Sequence, residues 1–537
     1  MLRFAITFLL GCIFGTTALA APLERWVYAQ VNLLVPAEAE RLEVLMRRAR
    51  PLGYTHFLLA DSKFTRMPQM DAPYAGHVNR IRKIAEDLGI EIVPAVFPVG
   101  YSNDLLWFDP NLAEGLPVRD ALFVVSNGVA HVVADPPVSL PRLNQRQRWG
   151  FVDENLQPDQ DQDSLRVTDP KGANARIMAR VRVSPFRQYH VSVRIKTREF
   201  RGQPEIKVLA GGDRSLSFTS LKTKPTQDWK THDITFNSFE QTNVNVYLGA
   251  WGANSGSLWL AGARIEEAGP VNILRREGCP LLVRIDGGRE LKEGMDFEPL
   301  RDSRLGNQPW PGEYEIWHDA PPLGTKLPEG TRLRVSYFHP HIVHDGQVCA
   351  CPSEPEFDQL LERQAREIHD AWGARSYLMS HDEWRVLGWD ESCRRRGLDA
   401  GALVADNARK CVGWLRAVNP NGRVFVWSDM FDPHHNAVKN YYLVRGDLRG
   451  AWDGLDKGVM IMNWNFERRT ESLKFFSDRG HQQILAGYYD AGPGQIGQWL
   501  EAARGVSGVI GVMYTTWQRN FNDLEGFARV VDRFERN

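Results

Sequence analysis

WVYAQVNLLV (residues 26–35), THFLLA (residues 55–60) and EIVPAVFPV (residues 91–99) are three apolar runs whose order decides the fold. Each is nearly continuous in apolar residues, as expected of strands covered on both faces. Between them, Ala37–Arg50 and His77–Leu88 carry apolar residues at helical spacing. Strand, helix, strand, helix, strand implies a parallel sheet with crossover helices.

The rhythm then stops. From about Leu140 to Glu267 the chain alternates apolar and polar residues, at Ala179–Val183, Tyr189–Ile195, Glu205–Leu209, Asp233–Phe236 and Val244–Leu248. Period-two alternation without long helices predicts an antiparallel β-sandwich over 140–270. Its tryptophans Trp229, Trp251 and Trp259 and its Gly249-Ala250-Trp251-Gly252 turn resemble jelly-roll carbohydrate-binding modules, and a purely structural module is the alternative. Residues 271–330, rich in Gly and Pro, read as a small β module or an ordered excursion.

The α/β rhythm resumes at residue 331. Leu333–Phe338, Tyr377–Ser380, Val424–Trp427, Val459–Trp464, Ile484–Tyr488 and Val509–Tyr514 read as strands, and Pro355–Ala371, Gly401–Ala417 and Gln495–Ala503 as helices. That makes nine strands where a (β/α)8 TIM barrel takes eight. Leu333–Phe338 is set aside as the exit of the insertion, so Tyr377–Ser380 becomes barrel strand four. The predicted fold is an α/β barrel formed by 21–139 and 331–537, with the sandwich inserted after its third strand.

Residues 1–20 read as a signal peptide, with Arg3, the apolar run Phe4–Phe14 and the cleavage site Ala18-Leu19-Ala20. Export to the periplasm or medium is expected. Leu9-Leu10-Gly11-Cys12 offers lipoprotein anchoring as a minor alternative, and no later stretch is long enough to span a bilayer. A formal charge of −1 gives no field that favours nucleic acid. Five cysteines remain after cleavage, so an exported chain keeps at least one thiol without an intramolecular partner. No Cys-x-x-Cys pair is present, and neither metal nor cofactor is expected.

In such barrels the site is built at strand C-termini and in the loops that follow. Strand four runs into His381-Asp382-Glu383-Trp384-Arg385. Two carboxyl groups side by side suit hydrolysis of a glycosidic bond, where one acid protonates the leaving oxygen and another group steadies positive charge. Strand neighbours face opposite ways, so both can serve one site only where the strand gives way to a loop. Later strand ends deliver Trp427, Asp429, Asp432, His434 and His435, then Trp464, then Tyr488, Tyr489 and Asp490, then Tyr514 and Trp517. Aromatic platforms beside carboxylates describe a sugar pocket, and 17 Trp is a high count for 537 residues.

The Asp382-Glu383 pair, the segment Val426–Asp432 and the closing Trp517 resemble the β-N-acetylhexosaminidases of glycoside hydrolase families 20 and 123 over residues 375–520. Ser380-His381 stands where those families carry Gly-Gly, which points to a related, separate family. The resemblance implies substrate-assisted hydrolysis of a terminal β-linked N-acetylhexosamine, N-acetylgalactosamine first. The 2-acetamido oxygen attacks the anomeric carbon, Asp382 accepts the acetamide N–H, and Glu383 is acid and then base. Tyr488 or Tyr514 would bond the acetamido oxygen, Trp464 and Trp517 would wall the sugar, and His381, Arg385, Trp427, Asp429, Asp432 and His434 complete the substrate site. Like-charge repulsion from its neighbour is expected to keep Glu383 protonated.

Three other readings stand beside this one. A retaining glycosidase would use Asp429 or Asp490 as nucleophile. A glycan-binding protein would need no chemistry. A metal-dependent deacetylase would use the cluster His339, His341, His344 and Asp345, whose spacing reads better as a loop lining the sugar pocket.

Overall fold

The computed structural model describes residues 22–159 and 163–536. The signal peptide read over 1–20, with Cys12, lies outside the described residues. Eight parallel strands close into a barrel in chain order. They are β1 (Glu24–Gln30), β2 (His56–Ala60), β3 (Glu91–Val96), β4 (Ser376–Met379), β5 (Arg423–Trp427), β6 (Val459–Asn463), β7 (Gln483–Leu485) and β8 (Val509–Tyr514). Closure is direct, since β1 pairs with both β2 and β8.

The helices that cover the barrel follow from local chemistry. In α1 (Pro36–Ala49), Ala39, Leu42, Leu45, Met46 and Ala49 form one buried stripe, and a proline occupies the first turn. α2 (Ala72–Leu88) starts five residues before the sequence suggests. Asp71 caps it by accepting the Tyr74 amide at 3.0 Å, and it ends where Gly89 turns left-handed. The second half supplies α3 (Pro355–Trp372), α4 (Ala400–Val418), α5 (Arg469–Asp478), α6 (Gly494–Ala502) and α7 (Leu524–Arg536).

Between β3 and β4 lie three antiparallel sheets. Two of them, built on Gln188–Arg201 and on Asn243–Ala250, span the predicted sandwich. Val191, Val193 and Ile195 from one, and Val244, Val246 and Leu248 from the other, are buried at every second position. Trp229, Trp251 and Trp259 carry cations over their rings, Arg194, Lys207 and Arg166 at 5.2, 4.5 and 4.8 Å.

The third sheet departs from the sequence reading. Its order is Leu282–Ile285, Arg332–His339, Leu116–Ser126, Val129–Val132 and Leu323–Gly324. Leu116–Ser126 was assigned by sequence to the first barrel segment, but it pairs antiparallel with Arg332–His339. That second strand is the one set aside from the nine. It belongs to this neck, whose core of Val118, Phe123, Val283, Leu333 and Val335 is separate from the barrel's.

Inside the barrel, side chains alternate inward and outward. Trp26, Leu58, Val93, Leu378, Phe425, Met462, Ile484 and Met513 form a packed layer. Two residues on, the next inward positions are Tyr28, Ala60, Ala95, Ser380, Trp427, Trp464, Ala486 and Thr515. Four of these are small, so the packed core stops there and a cavity opens at the C-terminal face.

Candidate active site

The cavity has a volume of about 690 Å³ and is lined by all eight of those residues. Continuing the same parity, Gln30, Asp382 and Trp517 reach its upper wall. Glu383 is out of phase and should point away. It lines the cavity because its own φ is +50°, a left-handed conformation that reverses the chain immediately after Asp382.

Three contacts hold this turn. The Glu383 amide donates to Asp429 Oδ2 at 2.8 Å, and Gln347 Nε2 donates to the Glu383 carbonyl at 2.9 Å. Gly100 packs so closely beneath the Asp382 carbonyl that a Cβ there would collide with it. The Glu383 carboxylate pairs with Arg385 at 2.5 Å and accepts a short hydrogen bond from the Tyr101 hydroxyl. Arg385 is itself buried, held by the Gln347 side-chain oxygen and by Tyr101, with Tyr442 5.0 Å beneath its guanidinium.

Asp382 has the opposite surroundings. Burial, then the carboxylates of Asp429 and Glu383, push its carboxyl up to about 8. Like-charge repulsion from the pair therefore reaches Asp382. Glu383 meets a guanidinium and a phenol, and Asp382 meets two carboxylates.

Asp429 is buried and works as a positioning group. Besides the Glu383 amide, it accepts the Asn436 side-chain amide at 2.9 Å and the Trp464 indole N–H at 3.2 Å. Desolvation raises its pKa. The Trp464 ring, fixed by that bond, stands 5.7 Å from Tyr489 and 4.4 Å from His435. Trp427 and the exposed Trp517 flank Tyr28 at 5.9 and 5.2 Å, giving a run of rings from the floor to the rim.

Several predicted site residues lie elsewhere. Tyr488 and Tyr514 are buried behind the wall, their rings tilted against each other at 4.7 Å and edge-on to Phe527. Their neighbour Tyr489 lines the cavity, again from a left-handed backbone with φ +48°. His381 is buried beneath the strand end, bonded to Asn407 at 3.0 Å and lowered by burial to about 4. Asp432 ties its own loop together, accepting the His434 amide at 2.8 Å and the Ser472 hydroxyl at 2.5 Å. His434 packs on Phe475 away from the cavity.

The His339 cluster does not line the cavity either. His339 bonds Asn237 of the sandwich at 3.2 Å, and His341 is buried with burial lowering its pKa to about 3. His344 reaches Tyr442 at 3.2 Å, and Phe218 of the sandwich packs tilted against the same tyrosine at 4.5 Å. These histidines join the inserted module to the barrel.

Sequence reasoning missed Tyr28, Gln30, Asp61, Tyr101 and Asp104, all in the lining, and Gln347 behind it. The parity of β1 points to Tyr28 and Gln30; nothing local points to the others. Asp104 is raised to about 6 by burial and lines the cavity.

No family model matches this sequence, and no curated protein does. Among solved structures, the chain is similar to a rhamnosidase from Novosphingobium sp. PP1Y at 13% identity and a TM-score of 0.37, over 97% of this chain and 59% of that one. It is similar to an inactive mutant of a family 20 exo-β-N-acetylglucosaminidase from Vibrio harveyi at 13% identity and a TM-score of 0.24, over 35% and 32%. It is also similar to a carbohydrate-binding module of Cellvibrio mixtus lichenase 5A, in complex with cellotriose, at 17% identity and 0.18, over 23% and 95%. Likeness at these scores carries no argument, so the reading of the site rests on its own geometry.

Proposed function

We propose that this chain is an exported glycoside hydrolase that removes terminal β-linked N-acetylhexosamine, N-acetylgalactosamine first, by substrate-assisted catalysis. The observation that carries the reading is the left-handed turn at Glu383, which brings both carboxyl groups into one aromatic-walled cavity of about 690 Å³. That volume is within the range of small-molecule sites and has room for a sugar ring and part of its aglycone. Asp382 accepts the acetamide N–H and steadies the positive charge of the oxazolinium ion. Glu383 donates the proton to the leaving oxygen, then takes one from water. Tyr489, in place of Tyr488, is the tyrosine placed to meet the acetamido oxygen. Trp427, Trp464 and Trp517 supply faces for the ring, and Gln30 and Asp104 can read hydroxyls.

The Arg385–Glu383 ion pair favours a second reading with the roles exchanged. Asp382 then gives the proton, and the Glu383 carboxylate faces the anomeric carbon.

The test is hydrolysis of p-nitrophenyl β-GalNAc, β-GlcNAc and β-galactoside by the wild type, Asp382→Asn and Glu383→Gln. Turnover of the acetamido sugars alone, lost in both variants, is the expected result. Turnover of the plain galactoside would replace the substrate-assisted scheme with a protein nucleophile, and no turnover of any glycoside would return the chain to glycan binding.

A further inference from the structure

One buried cluster has no part in the cavity. Glu114 lies just before the neck strand Leu116–Ser126, Cys351 before α3, and Asp390 and Cys393 at the start of the one-turn helix Glu391–Arg395. One ligand atom from each lies within 4.8 Å of the other three. The two sulfurs are 3.5 Å apart, and Cys393 Sγ is 3.5 Å from Glu114 Oε2. A tetrahedral ion at about 2.3 Å from sulfur and about 2.0 Å from oxygen has edges of about 3.8 Å between sulfurs and about 3.5 Å between sulfur and oxygen. The sulfur–oxygen edge matches, the sulfur–sulfur edge is about 0.3 Å short, and the remaining edges lie within 4.8 Å.

Its charge points the same way. Buried carboxylates are paired or coordinate a cation. Arg276 is engaged by Asp390 at 2.6 Å and by Glu354. Among the described residues no ion pair reaches Glu114; its Oε1 accepts the Trp389 and Asp390 amides at 2.6 and 3.2 Å, and its Oε2 accepts from the Cys393 thiol at 3.5 Å. The Trp389 amide orients Glu114 and the Arg276 guanidinium holds Asp390, two neighbours outside the donor set, while the Asp390 and Cys393 amides tie the donors to one another.

We infer that Glu114, Cys351, Asp390 and Cys393 form a structural zinc site. Two thiolates select a soft divalent ion over magnesium or calcium, and four protein ligands leave no open position for chemistry. A search for Cys-x-x-Cys pairs does not find this donor set, because its members come from three separated segments. The site would tie those segments together four residues from Gln347, which holds the active-site turn. The inference does not depend on the glycosidase reading.

The test uses the full chain, reduced, stripped with a chelator and then supplied with Zn2+ or Co2+ alone. The expected result is one ion bound per chain, a raised unfolding midpoint with Zn2+, and a thiolate-to-metal charge-transfer band with tetrahedral visible absorption for Co2+. Cys393→Ser should weaken that band, and Glu114→Gln, which keeps shape and both thiols, should weaken binding at least about tenfold. Cys411→Ser, at a buried thiol outside the cluster, should change neither. A reduced, folded wild type that binds neither ion would overturn the inference. So would metal-free protein in which thiol counting and peptide mass show Cys351 and Cys393 joined as a disulfide. If Cys393→Ser fails to fold, Glu114→Gln and the cobalt spectrum of the wild type still decide.

Discussion

The carboxylate of Asp429 holds the backbone of Glu383: Oδ2 accepts the Glu383 amide at 2.8 Å while Oδ1 accepts the Trp464 indole at 3.2 Å. One buried side chain thus fixes the backbone of a candidate acid and the ring of Trp464, both of which line the cavity. Asp429→Ala removes the acceptor of three donors, the Asn436 side-chain amide included, at about 1–3 kcal/mol for each one left buried and unpaired. A drop in kcat of at least about tenfold is expected, with KM changing less and the circular dichroism spectrum kept. Steady-state kinetics on an acetamido glycoside check it; an unchanged kcat would remove Asp429 from the site.

The pH profile assigns roles to the two acids. Asp382 is pushed up to about 8, so if it acts as the anion, kcat/KM rises as pH passes through about 8. A fall through the same range would mean that Asp382 is the proton donor. Stability carries its own signature. A raised carboxyl binds its proton more tightly in the folded state, so this group costs stability progressively from about pH 4 to about pH 8. Asp382→Asn should therefore raise the unfolding midpoint at pH 9 and leave it nearly unchanged at pH 4, as read by thermal melts at the two pH values.

Gly100 is the support under the turn. Gly100→Ala places a methyl group against the Asp382 carbonyl, and the backbone must shift to admit it. Because near-attack geometry is sensitive to displacements of about 1 Å, a loss of about 100-fold in kcat is expected. Gly76→Ala is a control on an exposed helix face with open space around it. Equal activity in the two variants would show that the turn tolerates the shift.

The two adjacent tyrosines should separate cleanly. Tyr489→Phe removes a hydroxyl at the cavity wall that is now bonded to the Trp464 carbonyl at 3.0 Å, and a loss in kcat/KM is expected. Tyr488→Phe removes a hydroxyl that meets Asp523 at 3.2 Å behind the wall, and only a small change in melting temperature is expected. The reverse pattern in paired kinetic and thermal measurements would restore Tyr488 to the site.

Trp517 is 44% exposed at the rim, beside Tyr28. Its ring is placed to cover the sugar or its aglycone, and ring contacts of this kind contribute about 0.5–1.5 kcal/mol. Trp517→Ala should raise KM by about two- to tenfold with kcat nearly kept. A loss confined to kcat would argue that the ring shapes the reacting centre instead.

Much of the barrel is legible because period-two alternation and helical stripes are local properties. The same parity from Leu378 places Asp382 inward, and from Met513 it places Trp517 at the rim. It fails at Glu383 and Tyr489, where a left-handed residue breaks the alternation and moves the side chain to the other face. Ile484–Tyr488 reads as one strand, which turns Tyr488 inward, whereas β7 ends at Leu485 and the following loop brings Tyr489 to the wall instead. Tyr101 and Gln347 could not be seen. Each acts on a residue far along the chain, from a loop whose path is set by the neck and not by its own sequence.

The neck also bears on how the chain reaches its fold. β3 and β4 are neighbours in the barrel, yet the whole insertion separates them in sequence. Each doubling of a loop costs about 0.6 kcal/mol in closure entropy. Zipping Leu116–Ser126 to Arg332–His339 first removes everything beyond them from the search, shortening the effective gap about fivefold and sparing roughly 1–1.5 kcal/mol. A distant pairing becomes an almost local one, so the insertion lengthens the chain far more than it raises the contact order the barrel must overcome.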